Sequence, residues 1–415
     1  MRYAIIGFGC AGYHAAKAIR AQDPDGEIHV FESEQHPPAN PMLTTYYAGG
    51  ALAEQHRFPF GGLEKVQKEL SLNLHMGQAV QRVDVAQKCI YTGGGGTYCA
   101  DRVLISTGAY AFVPGIEGLP DPRVYTMRTV ADADLLKQRL AKAPARKAVV
   151  VGASMVGIKV AELLWKAGAE VTIADAAKFL FPLAAFESTA RIMERKLEER
   201  GYRFLWDAGL TGITPEGVKF ADGTELEADL ICLCIGVRPD LKLIQGQEIA
   251  INRGIVVDAN QQTSCPGVYA AGDCCEALEV QSGGTRIVGL WANAGVQGRV
   301  AGCSMAGGAE EFPGGLLHNI THFMDMDFIG LGDIRKAGEH IRFKNPKTNI
   351  YIDAVVDNGH IQCVNLLGNY GISGILKSHF LKQLTEKEPT PLPAVQKAIL
   401  LGAGVDEQFL SRIGG

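Results

Sequence analysis

Short apolar runs and helix-spaced apolar positions alternate from the first residues onward. Tyr3-Ala4-Ile5-Ile6 breaks at Gly7, a helical stretch follows with Ala15, Ala16, Ala18 and Ile19 on one side, and Ile28-His29-Val30-Phe31 ends at Glu32. The same order returns in the middle of the chain. Ala148-Val149-Val150-Val151 breaks at Gly152, a helix is spaced by Val160, Ala161, Leu163 and Leu164, and Glu170–Ala174 ends at Asp175. Runs of four or five apolar residues bounded by glycine predict fully buried strands, and the 3–4 spacing predicts amphipathic helices. Two strand–helix–strand units therefore predict two parallel sheets covered by helices. From about residue 315 the pattern changes to runs at Phe328–Leu331, Ile350–Val356 and Ile361–Leu367, with a turn at Asp357-Asn358-Gly359 and a helix after Gly371 carrying Ile375, Leu376 and Phe380. That order predicts short strands separated by turns and followed by a helix.

The breaks between strand and helix carry the chemistry. Gly7-Phe8-Gly9-Cys10-Ala11-Gly12 sits between the first strand and its helix. Gly7 permits the tight turn, Gly9 lets backbone approach a pyrophosphate, and Gly12 lets the helix pack on the strand, while unpaired N–H groups at the helix start face the phosphates. Glu32, twenty residues past Gly12, is placed to accept two ribose hydroxyls. The second unit repeats this with Gly152-Ala153-Ser154-Met155-Val156-Gly157 and Asp175. Ser154 replaces the middle glycine, and its hydroxyl is small enough for the approach and able to donate to a phosphate. Asp175 favours the free 2′-hydroxyl of NAD(H) over the 2′-phosphate of NADP(H), although Lys178 lies nearby.

Composition narrows the classes. The 415 residues exceed one ordinary core, so two or three domains are expected. A formal net charge of -5 argues against nucleic acid. Fifty glycines are well above the usual share of about 7% and suit backbone that lies close to phosphates and rings. No window approaches the apolar length of a membrane span, and the first apolar run is too short for a signal-peptide core. The ten cysteines are scattered, which reads as a reduced, cytoplasmic protein.

Further segments sharpen the reading. Ile105-Ser106-Thr107-Gly108-Ala109 closes the first unit, Ile235-Gly236-Val237-Arg238-Pro239-Asp240 closes the second, and Cys265–Asp273 follows both. With Thr126-Met127-Arg128-Thr129 leading to Asp132-Ala133-Asp134, and Leu290–Ala294 leading to Gln297-Gly298 and Ala301-Gly302, the chain resembles the FAD-dependent pyridine nucleotide-disulfide oxidoreductase superfamily. The nearer likeness is to its NADH oxidase, ferredoxin (or rubredoxin) reductase and nitrite-reductase flavoprotein branch. The resemblance implies two Rossmann-like dinucleotide-binding domains, one inserted in the other, and a C-terminal α+β interface domain. The FAD domain would be 1–118 with 247–314, the NAD(P) domain 119–246, the interface domain 315–386 and a tail 387–415. Thr107, Gly108, Gly272 and Asp273 would join the first fingerprint around FAD, and Gly236 the second around NAD(H). Asp273 is either a ligand of flavin hydroxyls or a turn aspartate capping the next helix.

The cysteines argue against a thiol mechanism. The chain has none from 11 to 88 and none from 100 to 231, which closes both positions used by disulfide reductases of the superfamily. Pro41 and Met42 stand where single-cysteine oxidases keep theirs, and Cys10 replaces a histidine of the first glycine loop. Ferredoxin-reductase relatives pair a lysine with a glutamate beside the flavin. The matching positions here are Thr45 and Lys159, so the cation would have changed sides. Lys159 then either places a charge near flavin N5 and nicotinamide, with Thr45 opposite, or is a solvated lysine on an open helix face. His318 and His322 lack a third ligand and read as structural, with no metal site expected. Cys274-Cys275 reads as two packed thiols, and Gly93–Gly96 as a mobile hairpin loop.

The function expected is hydride transfer from NADH to FAD and onward electron transfer to a redox protein or iron–sulfur subunit, in a homodimer or a larger redox complex. Direct reduction of oxygen, a quinone or another small oxidant is the first alternative. A catalytically quiet sensor or structural subunit is the second.

Overall fold

The computed structural model describes residues 1–386 and 390–414. Pro389, expected to open the tail, lies outside the described residues. The chain divides into two compact units, each built from separated segments: 1–112, 128–134 and 237–315 form one, and 113–127, 135–236 and 316–415 the other.

The first unit is organised on a five-stranded parallel sheet in the order Val268–Ala270, Arg102–Ile105, Arg2–Ile6, Glu27–Glu32, Leu72–Met76. The first strand of the chain is central, with Glu27–Glu32 on one side and Arg102–Ile105 on the other. Strand order thus reverses at its carboxyl end, where ligands of open α/β sheets bind. Its residues Ala4 and Ile5 are fully buried, as a strand covered on both faces requires. Val268–Ala270 rejoins this sheet after the long excursion through the other unit, which is the interleaving of one dinucleotide fold within another.

The second unit repeats the arrangement. Its parallel sheet runs Arg203–Leu205, Glu170–Ala174, Lys147–Val151, Leu230–Leu233, Val124–Tyr125, again with the fingerprint strand central. A five-stranded antiparallel sheet belongs to the same unit, in the order His318–Phe323, Met326–Leu331, His360–Leu367, Ile350–Asp357, Glu339–Asn345. A two-residue turn joins Asp357 to His360 through Asn358 and Gly359, at φ 49° and 78°. Asn-Gly is the pair that tolerates left-handed backbone at both turn positions and so matches the twist of the strands. The helix Ser373–Thr385 packs against the strand His360–Leu367, and its Leu376 and Phe380 are buried. The tail docks on its own sheet: Asn345 donates to the Gly404 carbonyl at 2.8 Å, Phe409 packs against Phe343, and the Ile413 carbonyl accepts from buried His379 at 3.0 Å.

One sequence expectation is corrected. Cys89 and Cys99 are directly opposed on the antiparallel strands Cys89–Thr92 and Thr97–Cys99 and form a disulfide, while the other eight cysteines are free. The ten scattered cysteines read as thiols in the sequence; eight are, and this one pair is bridged because the hairpin sets the two side by side. Cys274 and Cys275 are packed thiols, as expected. Among the described residues no helix is long and apolar enough to cross a membrane, and no cluster of three or more His, Cys, Asp or Glu side chains suits a metal ion. His318 and His322 lie on a strand rather than on a helix.

Candidate functional site

Each unit holds a glycine loop at the end of its central strand. Gly7 and Gly152 take φ of +94° and +115°, which L side chains rarely adopt. At Gly12 and Gly157, in the first turn of each helix, an added Cβ would run into the Gly7 and Gly152 carbonyl oxygens, so only glycine lets the helix approach the loop this closely. An added Cβ at Gly9 meets nothing within 4 Å, which leaves open space before the loop. No side chain caps the helix Cys10–Gln22 at Gly9. The N–H groups of Cys10, Ala11 and Gly12 are therefore directed to an uncapped helix start, which suits a pyrophosphate.

The acids behave alike. Phe8 N–H donates to Glu32 Oε2 at 2.7 Å, and Ala153 N–H donates to Asp175 Oδ2 at 2.6 Å. The second oxygen of Glu32 accepts from Ser33 Oγ and Glu34 N–H, both at 3.1 Å, and that of Asp175 from Ala177 N–H at 2.8 Å. Each carboxylate is oriented by its own loop. With about four lone-pair sites, it retains capacity for ribose hydroxyls. Lys178 is exposed, and at the start of the second helix Met155 is half-buried and Val156 exposed.

Ser154 does not act as expected. Its hydroxyl donates to the Cys234 carbonyl at 3.0 Å and accepts from Gly157 N–H at 3.1 Å. One hydroxyl has one proton. Ser154 therefore caps its helix and ties the loop to the strand end before Gly236, and its proton is not directed to a phosphate. Gly236, at φ +99°, has no atom within 4 Å of an added Cβ.

Around the first loop, Ser106 Oγ lies 2.8 Å from the Gly7 carbonyl oxygen, and Thr107 Oγ1 donates to the Asp240 carbonyl at 2.9 Å. Gly108, at φ +68°, opens onto free space. Gly272 N–H is held by Gln297 Oε1 at 2.8 Å. Asp273 is paired with Arg128, 2.7 Å between Oδ2 and Nη2, with both side chains largely buried. Arg128 is also fixed by the Ala109 carbonyl at 3.0 Å. Its backbone N–H and that of Thr129 both donate to Asp132, whose own N–H returns to Thr129 Oγ1. This reciprocal cap freezes the arginine's main chain. In the sequence, Arg128 stands only as part of the Thr126-Met127-Arg128-Thr129 pattern. No spacing rule links residues 145 positions apart, so the fold alone shows it as the counter-charge of Asp273.

The thiols near this loop are held protonated. Cys10 Sγ donates to the Trp291 carbonyl at 3.4 Å, and burial, aided by Asp273, pushes the thiol up to about 12. Burial raises Cys274 to about 11, and its Sγ faces the Ile105 and Ala271 carbonyls. Neither is an activated sulfur.

Thr45 is buried in the short helix Thr44–Ala48 of the first unit. Lys159 belongs to the second, on the helix Met155–Lys166. There its ammonium pairs with Glu162 at 2.5 Å and donates to the His322 carbonyl at 2.9 Å. It is neither solvated nor unpaired. Buried Glu162 is held below the usual carboxylate range, because the hydrogen bonds from Lys159, Lys166 and Met324 N–H outweigh its desolvation.

Residues 1–298 match the family described as pyridine nucleotide-disulphide oxidoreductase. The chain is 28% identical over 427 residues to the NADH-dependent phenylglyoxylate dehydrogenase subunit epsilon of Aromatoleum evansii, covering 99% of this chain and 97% of that one. It is 32% identical over 307 residues to the ferredoxin–NAD(+) reductase component of the biphenyl dioxygenase system of Paraburkholderia xenovorans, covering 73% and 74%. Among solved structures, a water-forming NADH oxidase from Lactobacillus brevis bound to NADH superposes with a TM-score of 0.85 at 22% identity, over 93% of this chain and 91% of that one.

Proposed function

Because the chain belongs to the pyridine nucleotide-disulphide oxidoreductase family, we propose that it exchanges hydride between NADH and FAD and passes electrons to a separate redox protein or iron–sulfur subunit. It is an oxidoreductase that uses FAD and a nicotinamide nucleotide, as its family and relatives show. The acceptor is the proposed part. One observation carries it: the thiols beside the first glycine loop are buried, protonated and bonded to carbonyls, so no thiol relay stands between flavin and acceptor. Two relatives support a protein acceptor. One is a subunit of a larger dehydrogenase and matches along nearly its whole length, and the other is named for reducing ferredoxin or NAD.

Bound FAD would supply a store for two electrons that can leave one at a time. The chain's own residues would bind and orient. Cys10, Ala11 and Gly12 N–H groups would receive the FAD pyrophosphate, Glu32 its adenosine ribose, and Thr107, Gly108 and Gly272 would line the rest of the cofactor. Arg128 neutralises Asp273, so that a carboxylate can lie near phosphates and still accept from flavin hydroxyls. Gly152, Met155, Val156, Gly157 and Gly236 would flank the NADH, with Asp175 on its ribose and NADPH disfavoured. Lys159, tied to Glu162 and His322, is better placed to brace its helix than to act on the flavin. Membership of a homodimer or larger complex, and a cytoplasmic location, belong to the same reading.

The test is anaerobic stopped-flow. Protein reduced by NADH is mixed with a small iron–sulfur ferredoxin or with air-saturated buffer. Reoxidation by the ferredoxin much faster than by dioxygen is expected. Faster reaction with dioxygen would transfer the reading to a direct oxidase, and no reduction by NADH would leave a binding protein.

A further inference from the structure

We propose that the C-terminal antiparallel sheet sets the nucleotide affinity of the second unit, with Asn365 and Asp353 as positioning residues for the loop that follows Asp175. The inference rests on the reading of Asp175 as the NADH ribose acid.

The loop spans residues 176–186, between Asp175 and the helix Glu187–Glu198. Near its middle, Phe181 N–H donates to the Ala153 carbonyl at 2.9 Å, which ties it to the glycine loop. Leu180 N–H donates to Glu194 at 2.8 Å, inside the core. Phe181 itself has φ +58°, a conformation unusual for a bulky residue, and is 2% exposed. Surrounding structure must hold it there.

That structure is the sheet. Asn365 and Asp353 are directly paired across neighbouring strands, and both are fully buried. Asn365 Oδ1 accepts from Phe186 N–H at 2.7 Å, and its Nδ2 donates to the Ala184 carbonyl at 3.0 Å. Asp353 accepts from Ser188 Oγ at 2.7 Å, in the first turn of the following helix, lies 2.8 Å from His340 Nδ1, and is balanced by Arg342 at 2.9 Å. The Phe181 ring packs against Phe323 and Phe328. Gly330 lies so near the loop that an added Cβ would stand 2.9 Å from the Ala184 carbonyl oxygen. A second attachment reaches the helix after the glycine loop, where Met324 N–H donates to Glu162 at 2.9 Å and the His322 carbonyl accepts from Lys159.

A core meant only for packing would be apolar here, because an unpaired buried amide or carboxylate is costly. What Asn365 and Asp353 supply is register. Asn365 satisfies a loop N–H and a loop C=O that an apolar side chain would leave orphaned, and Asp353 holds the Ser188 hydroxyl at the start of the helix that ends the loop. Asp175 takes its orientation from Ala153 and Ala177, which this loop connects. A shift in the loop therefore moves the carboxylate that is to meet the ribose.

The experiment compares Asn365→Leu, Ser188→Ala and Asp175→Ala with the unaltered holoprotein, reading FAD content, melting temperature, the KM for NADH and the limiting rate of flavin reduction. For Asn365→Leu with full FAD, KM should rise on the order of tenfold while the limiting rate changes little, because a small misplacement of a binding group weakens binding steeply. A folded Asn365→Leu protein with an unchanged KM and only a lowered melting temperature would show a packing role and overturn the proposal. Should Asn365→Leu not fold, Ser188→Ala removes a single hydrogen bond to Asp353. A rise of about two- to fivefold in KM is expected there, and no rise overturns the proposal. Asp175→Ala separates the two readings. If it raises KM and the sheet variants do not, only the positioning role fails; if it leaves KM unchanged, the ribose assignment itself fails.

Discussion

At the residue scale, the two fingerprints are chemical copies with different caps. Glu32 and Asp175 each use one oxygen to hold the N–H that follows the first glycine. That bond spends part of the carboxylate on the protein and aims the remainder outward. Loss of Glu32 should therefore loosen the loop and remove a ribose acceptor together. Glu32→Ala is expected to lower FAD retention by about ten- to a hundredfold, the range for hydrogen bonds to a charged group. Fluorescence of flavin released on gel filtration measures it, and the released flavin should be FAD, since FMN has no adenosine ribose. Retention equal to the parent protein would remove Glu32 from the site. The glycines and acids were legible because their spacing is local. Arg128 was not, because its meaning depends on Asp273, far along the chain.

At the element scale, the strand His318–Phe323 has a titration of its own. Burial, with Lys377 nearby, lowers His318 to about 4, and its Nε2 is buried with no hydrogen-bond partner. An unfolded histidine titrates near about 6.5. Between those values the unfolded chain binds a proton that the folded chain does not, so stability falls as pH falls from about 6.5 towards 4. His14, His75 and His379 are lowered by burial as well and push the same way. Urea unfolding should give lower stability at pH 5 than at pH 7, and His318→Gln should reduce that difference. An unaltered difference would show that His318 does not contribute. The strands Ile350–Asp357 and His360–Leu367 were readable from long apolar runs and the Asn358-Gly359 turn. Glu339–Asn345 was not, since only Ile341 and Phe343 point inward among charged neighbours on an edge strand.

For the whole molecule, the distribution of sulfur sets the electron count. Eight cysteines are free, and those beside the first glycine loop are protonated thiols packed against carbonyls. The one disulfide joins Cys89 and Cys99 on a hairpin of the first unit. Anaerobic dithionite titration should bleach the flavin after about one two-electron equivalent per FAD, with no long-wavelength thiolate band along the way. A second pair of electrons, taken up before bleaching and abolished by Cys10→Ser, would restore a thiol relay. Uptake after bleaching, abolished by Cys89→Ser, would instead report the hairpin bridge.

The sequence by itself determined the two dinucleotide folds, because their logic lies in contiguous stretches: apolar strand, glycine turn, helix, strand and acid. It also excluded a redox-active cysteine pair at the positions the superfamily uses, since absence of a residue type is read directly. Tertiary structure decided what each polar group is bonded to. Ser154 gives its proton to the Cys234 carbonyl, Lys159 is held by Glu162, Asp273 is neutralised by Arg128, and Cys89 finds Cys99 across a hairpin. Such pairings depend on the approach of backbone and side chains from separate elements. A hydroxyl, an ammonium or a thiol looks the same in a sequence whether it faces a ligand or a neighbouring strand.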